Sequence, residues 1–333
     1  MMLIGYVLLA LVSTAVVWFG SGILERSSER LAAYYELPPI VQGAVIAAVG
    51  SSFPELSSTV LSTLVHGEFE LGVAVIAGSA IFNILVIPGL CGLFSGASGL
   101  QANRDLVYKE AQFYMVAVAT LLLTFSFAVI YNPLEGLVGE MTRLQAAIPV
   151  ALYGLYLFIQ YQDSVDFQTK APSADRPGKQ WLLLALSLLI ILVGVEGLVR
   201  SAIGFGRALN TPSFLWGLTV IAAGTSISDA FYSIRAARAG KAVTSIANVL
   251  GSNTFDLLVA IPAGVLIAGA TAINYAVAAP LMGFLVLATI ILFVLIRINL
   301  NLTRTESLIL LGMYGLFLAW MVLETIGVSS LIL

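Results

Sequence analysis

Charge is what this chain lacks most. Asp, Glu, Lys and Arg make up 10% of its 333 residues, against about 25% in an ordinary soluble domain. With 59% hydrophobic residues and a mean hydropathy of +1.01, it cannot dissolve by wrapping one core in charge, so lipid must solvate it. Cysteine is almost absent: Cys91 alone excludes an intramolecular disulfide and lies in an apolar run, where a small packed hydrophobe is expected. Histidine is as scarce. His66 stands beside Gly67 and Glu68 and reads as a solvated loop residue, which leaves no partner for serine-hydrolase chemistry. A net charge of −3 without basic clusters excludes a nucleic-acid partner. Nothing points to a prosthetic group or a protein partner.

What is present is a series of long apolar stretches. Ten of them approach or exceed the roughly 17–25 residues of a membrane-crossing helix: 2–20, 39–65, 70–95, 106–130, 143–162, 180–199, 212–236, 241–268, 275–296 and 306–328. The first has no basic residue before it and is too long for a signal-peptide core, so it is read as a retained span. The expected fold is therefore an all-α polytopic membrane protein of ten transmembrane helices. A polar, proline-containing linker at 163–179 divides a first five-helix unit, 1–162, from a second, 180–333. Twelve of the fifteen Lys and Arg residues follow odd-numbered stretches, and only Arg143, Arg200 and Arg207 follow even-numbered ones. By the positive-inside rule the linker faces the cytoplasm and both termini lie outside, with the cell membrane as the expected location.

The two units are copies. Residues 43–59 read GAVIAAVGSSFPELSST and 217–233 read GLTVIAAGTSISDAFYS; GSAIFNIL at 78–85 matches GSNTFDLL at 251–258. Five spans per copy means that the second enters the membrane inverted, a recurring plan of secondary transporters whose site lies at the midplane. On a helix Ser51 and Ser52 share a face with Glu55, as Thr225 and Ser226 do with Asp229. Ser79 with Asn83, and Ser252 with Asp256, add pairs at i and i+4. All these side chains offer oxygen, the ligand of hard cations such as Ca²⁺ and the alkali ions. Pro54 cannot donate an amide hydrogen to Gly50, so a broken helix is expected there, with Ala48 and Ala222 as carbonyl donors. In the second copy Ser228 replaces the proline and Gly224 must carry a gentler break. A mid-span carboxylate costs about 2.5–3.5 kcal/mol on insertion scales and usually marks an ion pathway. Glu55, Asp229 and Asp256 are three such groups, with no Lys or Arg in mid-span. Glu196 is different: Arg200 at i+4 offers it a local ion pair.

The segments GSSFPE, GSAIFN, GTSISD and GSNTFD resemble the two alpha-repeats of the Ca²⁺/cation antiporter superfamily. The combination of Glu55, Asp229 and Asp256 is most similar to its potassium-dependent sodium/calcium exchanger branch. The resemblance implies that Glu55 and Asp229 ligate Ca²⁺ and that Asn83 and Asp256 complete the cluster, the latter position being associated with K⁺. It also implies flanking Na⁺ sites drawn from Ser51, Ser52, Ser79, Thr225, Ser226 and Ser252. The expected activity is Ca²⁺ transport in exchange for Na⁺. H⁺/Ca²⁺ exchange is the alternative, with a cation channel or intramembrane hydrolase further off. The short linker holds no regulatory Ca²⁺-binding domain of the kind seen in large exchangers.

The charge asymmetry makes the topology testable. Asp175→Cys, in a Cys91→Ser background, is expected to resist an impermeant thiol reagent added to intact cells; ready labelling would overturn the span count or its orientation.

Overall fold

The computed structural model describes residues 2–35, 48–95, 99–104, 109–163 and 177–329. The part of the chain before the expected linker holds α1 (Met2–Tyr34), α2 (Ala48–Ser51), α3 (Phe53–Leu64), α4 (Phe69–Phe94), α5 (Ala111–Tyr131) and α6 (Arg143–Asp163). The rest holds α7 (Pro177–Leu209), α8 (Ser213–Trp216), α9 (Ala222–Thr225), α10 (Ile227–Arg238), α11 (Ala242–Phe255), α12 (Ile261–Ala268), α13 (Tyr275–Asn299) and α14 (Arg304–Thr325). Two π-helical turns, Gly217–Ile221 and Asp256–Ala260, bridge α8 to α9 and α11 to α12.

Eight helices among the described residues are long and apolar enough to cross a membrane, and the bent pair Ser213–Thr225 with Ile227–Arg238 makes a ninth. The stretch expected at 39–65 begins outside the described residues, as do 43–47 of the first repeat; α2 and α3 are its described part. Residues 164–176 of the expected linker, Asp175 among them, also lie outside them.

Two expectations need correction. The first and sixth helices do not stop at 20 and 199 but run on to Tyr34 and Leu209, 33 residues each. At 1.5 Å per residue each spans about 50 Å, against a hydrocarbon core of about 30 Å. Hydropathy reports where lipid ends, while Leu24, Leu31 and Ala32 remain buried at helical spacing beyond that point. Arg26, Arg30, Arg200 and Arg207 therefore sit on helices rather than in loops. Nor is the chain wholly α: β1 (Leu100–Gln101) pairs antiparallel with β4 (Asn301–Leu302), and β2 (Val138–Met141) with β3 (Thr271–Asn274).

These ladders carry topological information. The first joins the connections that follow the third and ninth stretches; the second joins those that follow the fourth and eighth. Side-chain contacts obey the same parity. Trp181 Nε1 donates to Tyr35 Oη at 3.1 Å, and the Arg238 guanidinium lies 4.5 Å from the Phe94 ring centre, all four near odd connections. Arg143 Nε donates to the Leu266 carbonyl at 3.0 Å, and Ser213 to the Glu68 carboxylate, all near even connections.

Packing follows polarity. α4, apolar on every face except for Glu70 near its start and Ser79 and Asn83 at mid-length, is enclosed by other helices, as a helix apolar on most of its faces should be. α1 and α7 form most of a second cluster, around Val17, Ile191, Val195 and Leu198, which Leu71 and Val75 of α4 and Ile221 of the first π-turn complete. Along their contact Gly204 meets the Tyr6 ring, Gly197 the Ser13 hydroxyl, Gly194 Val17, and Gly20 Ile191. Residue numbers rise along α1 as they fall along α7, so these corresponding helices of the two copies run antiparallel.

One glycine sets the distance between α4 and the broken span. A Cβ on Gly78 would fall 2.1 Å from the Leu218 carbonyl oxygen, where backbone rather than a movable side chain stands in the way. Gly78→Ala should lower the melting temperature of the purified protein by several degrees, consistent with about 1–3 kcal/mol for overpacking. Gly283→Ala, where a Cβ meets nothing within 4 Å, should not; equal behaviour of the two variants in a thermal-stability assay would refute the packing.

Candidate cation site

The site is assembled around two breaks in helical hydrogen bonding, at Ser52 (φ −91°, ψ 6°) and Ser226 (φ −75°, ψ −1°), corresponding positions of the two copies. The second break bends its span by 44°. It lies two residues past Gly224, and Ser228 helps to shape it by donating its hydroxyl to the Thr225 carbonyl at 3.2 Å. Proline is thus not required for the interruption. Each break puts a carboxylate into the first turn of the helix that follows, Glu55 on α3 and Asp229 on α10.

Residues from both copies then interlock. Ser79 on α4 lies 3.2 Å from Glu55 Oε1 and 2.6 Å from Ser226 Oγ, and Ser226 Oγ is 3.4 Å from the same carboxylate oxygen. Ser51 Oγ meets Ser252 Oγ at 3.0 Å, while Ser52 Oγ reaches the Ser252 carbonyl at 3.4 Å. Asp229 is flanked by Ser51, Ser252 and Asn83. Asp256, at the head of the second π-turn, stands beside Ser52 and within electrostatic range of both Glu55 and Asp229. Thr225 donates to the Ala222 carbonyl at 3.2 Å and also flanks Glu55. The Ala222 carbonyl is not released by the break as expected, because it accepts from Thr225 Oγ and from the Ser226 amide at 3.1 Å. Ala48 stands at the head of α2, one turn before Ser52.

The carboxylates are deeply enclosed: Glu55 and Asp256 are 0% exposed and Asp229 1%. Among the described residues none of the three joins an ion pair. Glu55 Oε2, Asp229 Oδ2, both Asp256 oxygens and Asn83 Oδ1 have no hydrogen-bond partner there. Isolated charges in such surroundings are strongly disfavoured unless something neutralises them. No three His, Cys, Asp or Glu side chains among the described residues converge on one metal position. A cation held here must therefore draw hydroxyl, amide and carbonyl oxygens along with carboxylates, as hard cations do.

Two asparagines escaped the sequence reading. Asn253 accepts from Asn83 Nδ2 at 3.0 Å and donates to the Ala80 carbonyl at 3.2 Å, with Tyr114 Oη at 3.4 Å. Asn248 donates to Asp229 Oδ1 and Ser233 Oγ, both at 3.4 Å. The signal was a mid-span amide: Asn253 sits inside GSNTFD, but Ala80 occupies its place in the first copy, so the repeat comparison passed over it. His66 is also corrected. Rather than being merely solvated, its Nε2 lies 3.1 Å from Glu196 Oε2, and Arg200 Nε holds Glu196 Oε1 at 2.6 Å, the local pair that was expected.

Comparison with known proteins gives a consistent picture. The family model described as sodium/calcium exchanger protein matches residues 5–162 and 179–323. The sodium-calcium exchanger NCX_Mj, in crystals soaked with 10 mM Na⁺ and zero Ca²⁺, superimposes with a TM-score of 0.62 at 23% identity, over 96% of this chain and 98% of that one. The H⁺/Ca²⁺ exchanger CAX superimposes with a TM-score of 0.71 at 14% identity, over 94% and 82%. Sodium/potassium/calcium exchanger 4 of Mus musculus is 34% identical over 137 residues, 41% of this chain but 19% of its own length.

The amide network is open to test. Asn253→Ala strips Asn83 of its acceptor and should destabilise the protein by about 1–3 kcal/mol, the usual cost of orphaning buried polar groups. An unchanged melting temperature would show that Asn83 needs no such anchor.

Proposed function

This chain belongs to the sodium/calcium exchanger protein family, which makes it a membrane transporter rather than an enzyme, and on that footing we propose that it moves Ca²⁺ across the membrane in exchange for Na⁺ by alternating access. The observation that carries the proposal is the set of three buried carboxylates that join no ion pair among the described residues. Glu55 and Asp229 together bear −2 when ionised, the charge one Ca²⁺ cancels. Asp256 brings the total to −3, the charge of Ca²⁺ with K⁺ or of three Na⁺. Carrying net charge through low dielectric is expensive, so the loaded site crosses readily and the bare, ionised site does not. Na⁺ and Ca²⁺ compete for overlapping oxygens: Ser79 and Ser226 touch the same oxygen of Glu55, and Ser51 and Ser252 flank Asp229. Ions bound from either side bias the equilibrium between outward-open and inward-open forms.

The antiparallel α1 and α7, and the parity of the contacts between connections, support ten spans in two inverted units with the broken helices meeting at the midplane. In that arrangement the linker is cytoplasmic, both termini are outside, and the cell membrane is the site of action.

Proton coupling is the second reading, favoured by the close superposition on CAX. Protonation of Glu55 or Asp229 would then replace Na⁺ binding. Hydroxyl groups beside both carboxylates favour Na⁺, since a proton needs no such ligands. In proteoliposomes Ca²⁺ uptake should follow an imposed Na⁺ gradient; uptake that follows only a pH gradient selects the rival. Glu55→Gln, verified as folded, should lose uptake altogether.

The local likeness to sodium/potassium/calcium exchanger 4 and the charge of Asp256, where the first copy has neutral Asn83, support K⁺ accompanying Ca²⁺. Uptake should then rise with K⁺, and Asp256→Asn should abolish that response while exchange continues. A parent protein indifferent to K⁺ would end this part of the proposal.

A further inference from the structure

A cleft of about 290 Å³ opens between α1 and α10. Each helix lends it one stripe at helical spacing: Trp18, Gly22 and Arg26 from α1, and Phe231, Tyr232 and Arg235 from α10. The cleft is graded along its length. At one end Trp18 and Phe231 stack with ring centres 5.0 Å apart, and both are exposed, as is Phe19 beside them. Further along both helices stand Arg26 and Arg235. The helices run together towards the linker-bearing face, because they end there with Tyr35 and Arg238, which contact Trp181 and Phe94. Arg26 therefore lies nearer that face than Trp18, by about 12 Å along the axis of α1. The apolar stretch of α1 closes near residue 20, so the rings stand at the depth of acyl chains and the guanidinium groups at the depth of headgroups. Charge adds a second observation. The lining sets two arginines against one carboxylate, that of Glu25, and is net positive. Neither guanidinium makes a hydrogen bond or ion pair among the described residues, and both act on Glu25 only at a distance. Glu29 and Arg30, further along α1, lie outside the lining and offset one another.

We propose that this cleft binds an anionic phospholipid of the leaflet on the linker-bearing side. Arg26 and Arg235 hold the phosphate, whose geometry the guanidinium fork matches, and an acyl chain runs past Trp18, Phe19 and Phe231. Basic pockets between transmembrane helices take such headgroups. A singly charged headgroup cancels the net charge of the lining, whereas a zwitterionic one leaves it standing. The volume is at the small end of ligand pockets, about 300–1,000 Å³, so the cleft takes the headgroup and the start of a chain while the rest of the lipid stays in the bilayer. Seated there, the lipid bridges α1 and α10 beside Ser228, whose hydroxyl helps to shape the second helix break. The opposite face has no matching pair: Arg200 takes the place of Arg26 in the second copy but is held by Glu196, and Leu61 takes that of Arg235 in the first. The proposal does not depend on which cations the protein exchanges.

Phosphatidylglycerol with brominated acyl chains quenches the tryptophans that its chains touch, and Trp18 lines the cleft. Titrated into the detergent-purified protein, it should quench fluorescence with a saturable component that Trp18→Phe removes. Arg26→Gln and Arg235→Gln should each raise the half-saturating lipid concentration about fivefold, and the double variant about 25-fold. Both side chains are exposed, so the variants should fold; Arg26→Lys and Arg235→Lys, which keep the charge but lose the fork, should fall between parent and Gln variants. Glu25→Gln raises the charge of the lining by one and should tighten binding. Brominated phosphatidylcholine should bind more weakly than phosphatidylglycerol, and millimolar inorganic phosphate should not displace either lipid. Saturation unchanged in the double variant, or equal for the two lipids, would reduce the cleft to apolar packing and overturn the assignment. Full displacement by inorganic phosphate would make it a free-anion site, and weaker binding in Glu25→Gln would show that the carboxylate attracts the headgroup; either result contradicts the proposal.

Discussion

The governing constraint in this structure is a set of buried carboxyl groups that no Lys or Arg among the described residues answers. Glu55, Asp229 and Asp256 are enclosed to within 1% exposure, and the described residues place no Lys or Arg in an ion pair with them. In a soluble enzyme such a cluster would be pulled apart or paired. Here the two helix breaks, the two π-turns and the hydroxyl-bearing faces of α2, α4 and α11 hold it together. α4 and its neighbours pack around the helix breaks, so backbone irregularity there meets protein. The fold stores an electrostatic demand that mobile cations are suited to meet.

The duplicated motifs supply the candidate site in matching halves. Ser52 and Ser226 break their helices at corresponding positions, and each break is followed by an acid. The contacts then cross between copies: Ser79 with Ser226, Ser51 with Ser252, Asn83 with Asn253. Each copy therefore completes the other's half-site. The second hydrophobic cluster joins α1 and α7 to α4 through Leu71 and Val75 and to the first π-turn through Ile221. The His66–Glu196 contact ties α7 back to the connection after α3.

Much of the site was legible in the sequence because duplication exposes it: two copies of a polar motif inside apolar spans are hard to mistake. Of the residues the repeats singled out, Glu55, Ser79 and Ser226 touch one another, and Asp229 and Asp256 lie within electrostatic range of Glu55. Asn253 and Asn248 were not legible, since their importance lies in which side chain of another helix they face. Helix ends were misjudged at Tyr34 and Leu209 because hydropathy follows the lipid boundary and hydrogen bonding does not. The two-residue pairing of β1 with β4 is too short to leave any periodicity. Ser228 was read only as a missing proline, although its hydroxyl engages Thr225.

If the bare, ionised cluster cannot return across the membrane, movement of Ca²⁺ in one direction must wait for a counter-ion in the other. Vesicles containing the purified protein and loaded with radioactive Ca²⁺ test this when diluted into media that differ only in Na⁺. The account requires efflux to be negligible in a medium free of Na⁺ and Ca²⁺ and to rise steeply when Na⁺ is added at constant pH and membrane potential. Efflux as fast without Na⁺ as with it would mean that the carboxylates do not need to be neutralised for the site to move, and the central claim would fail.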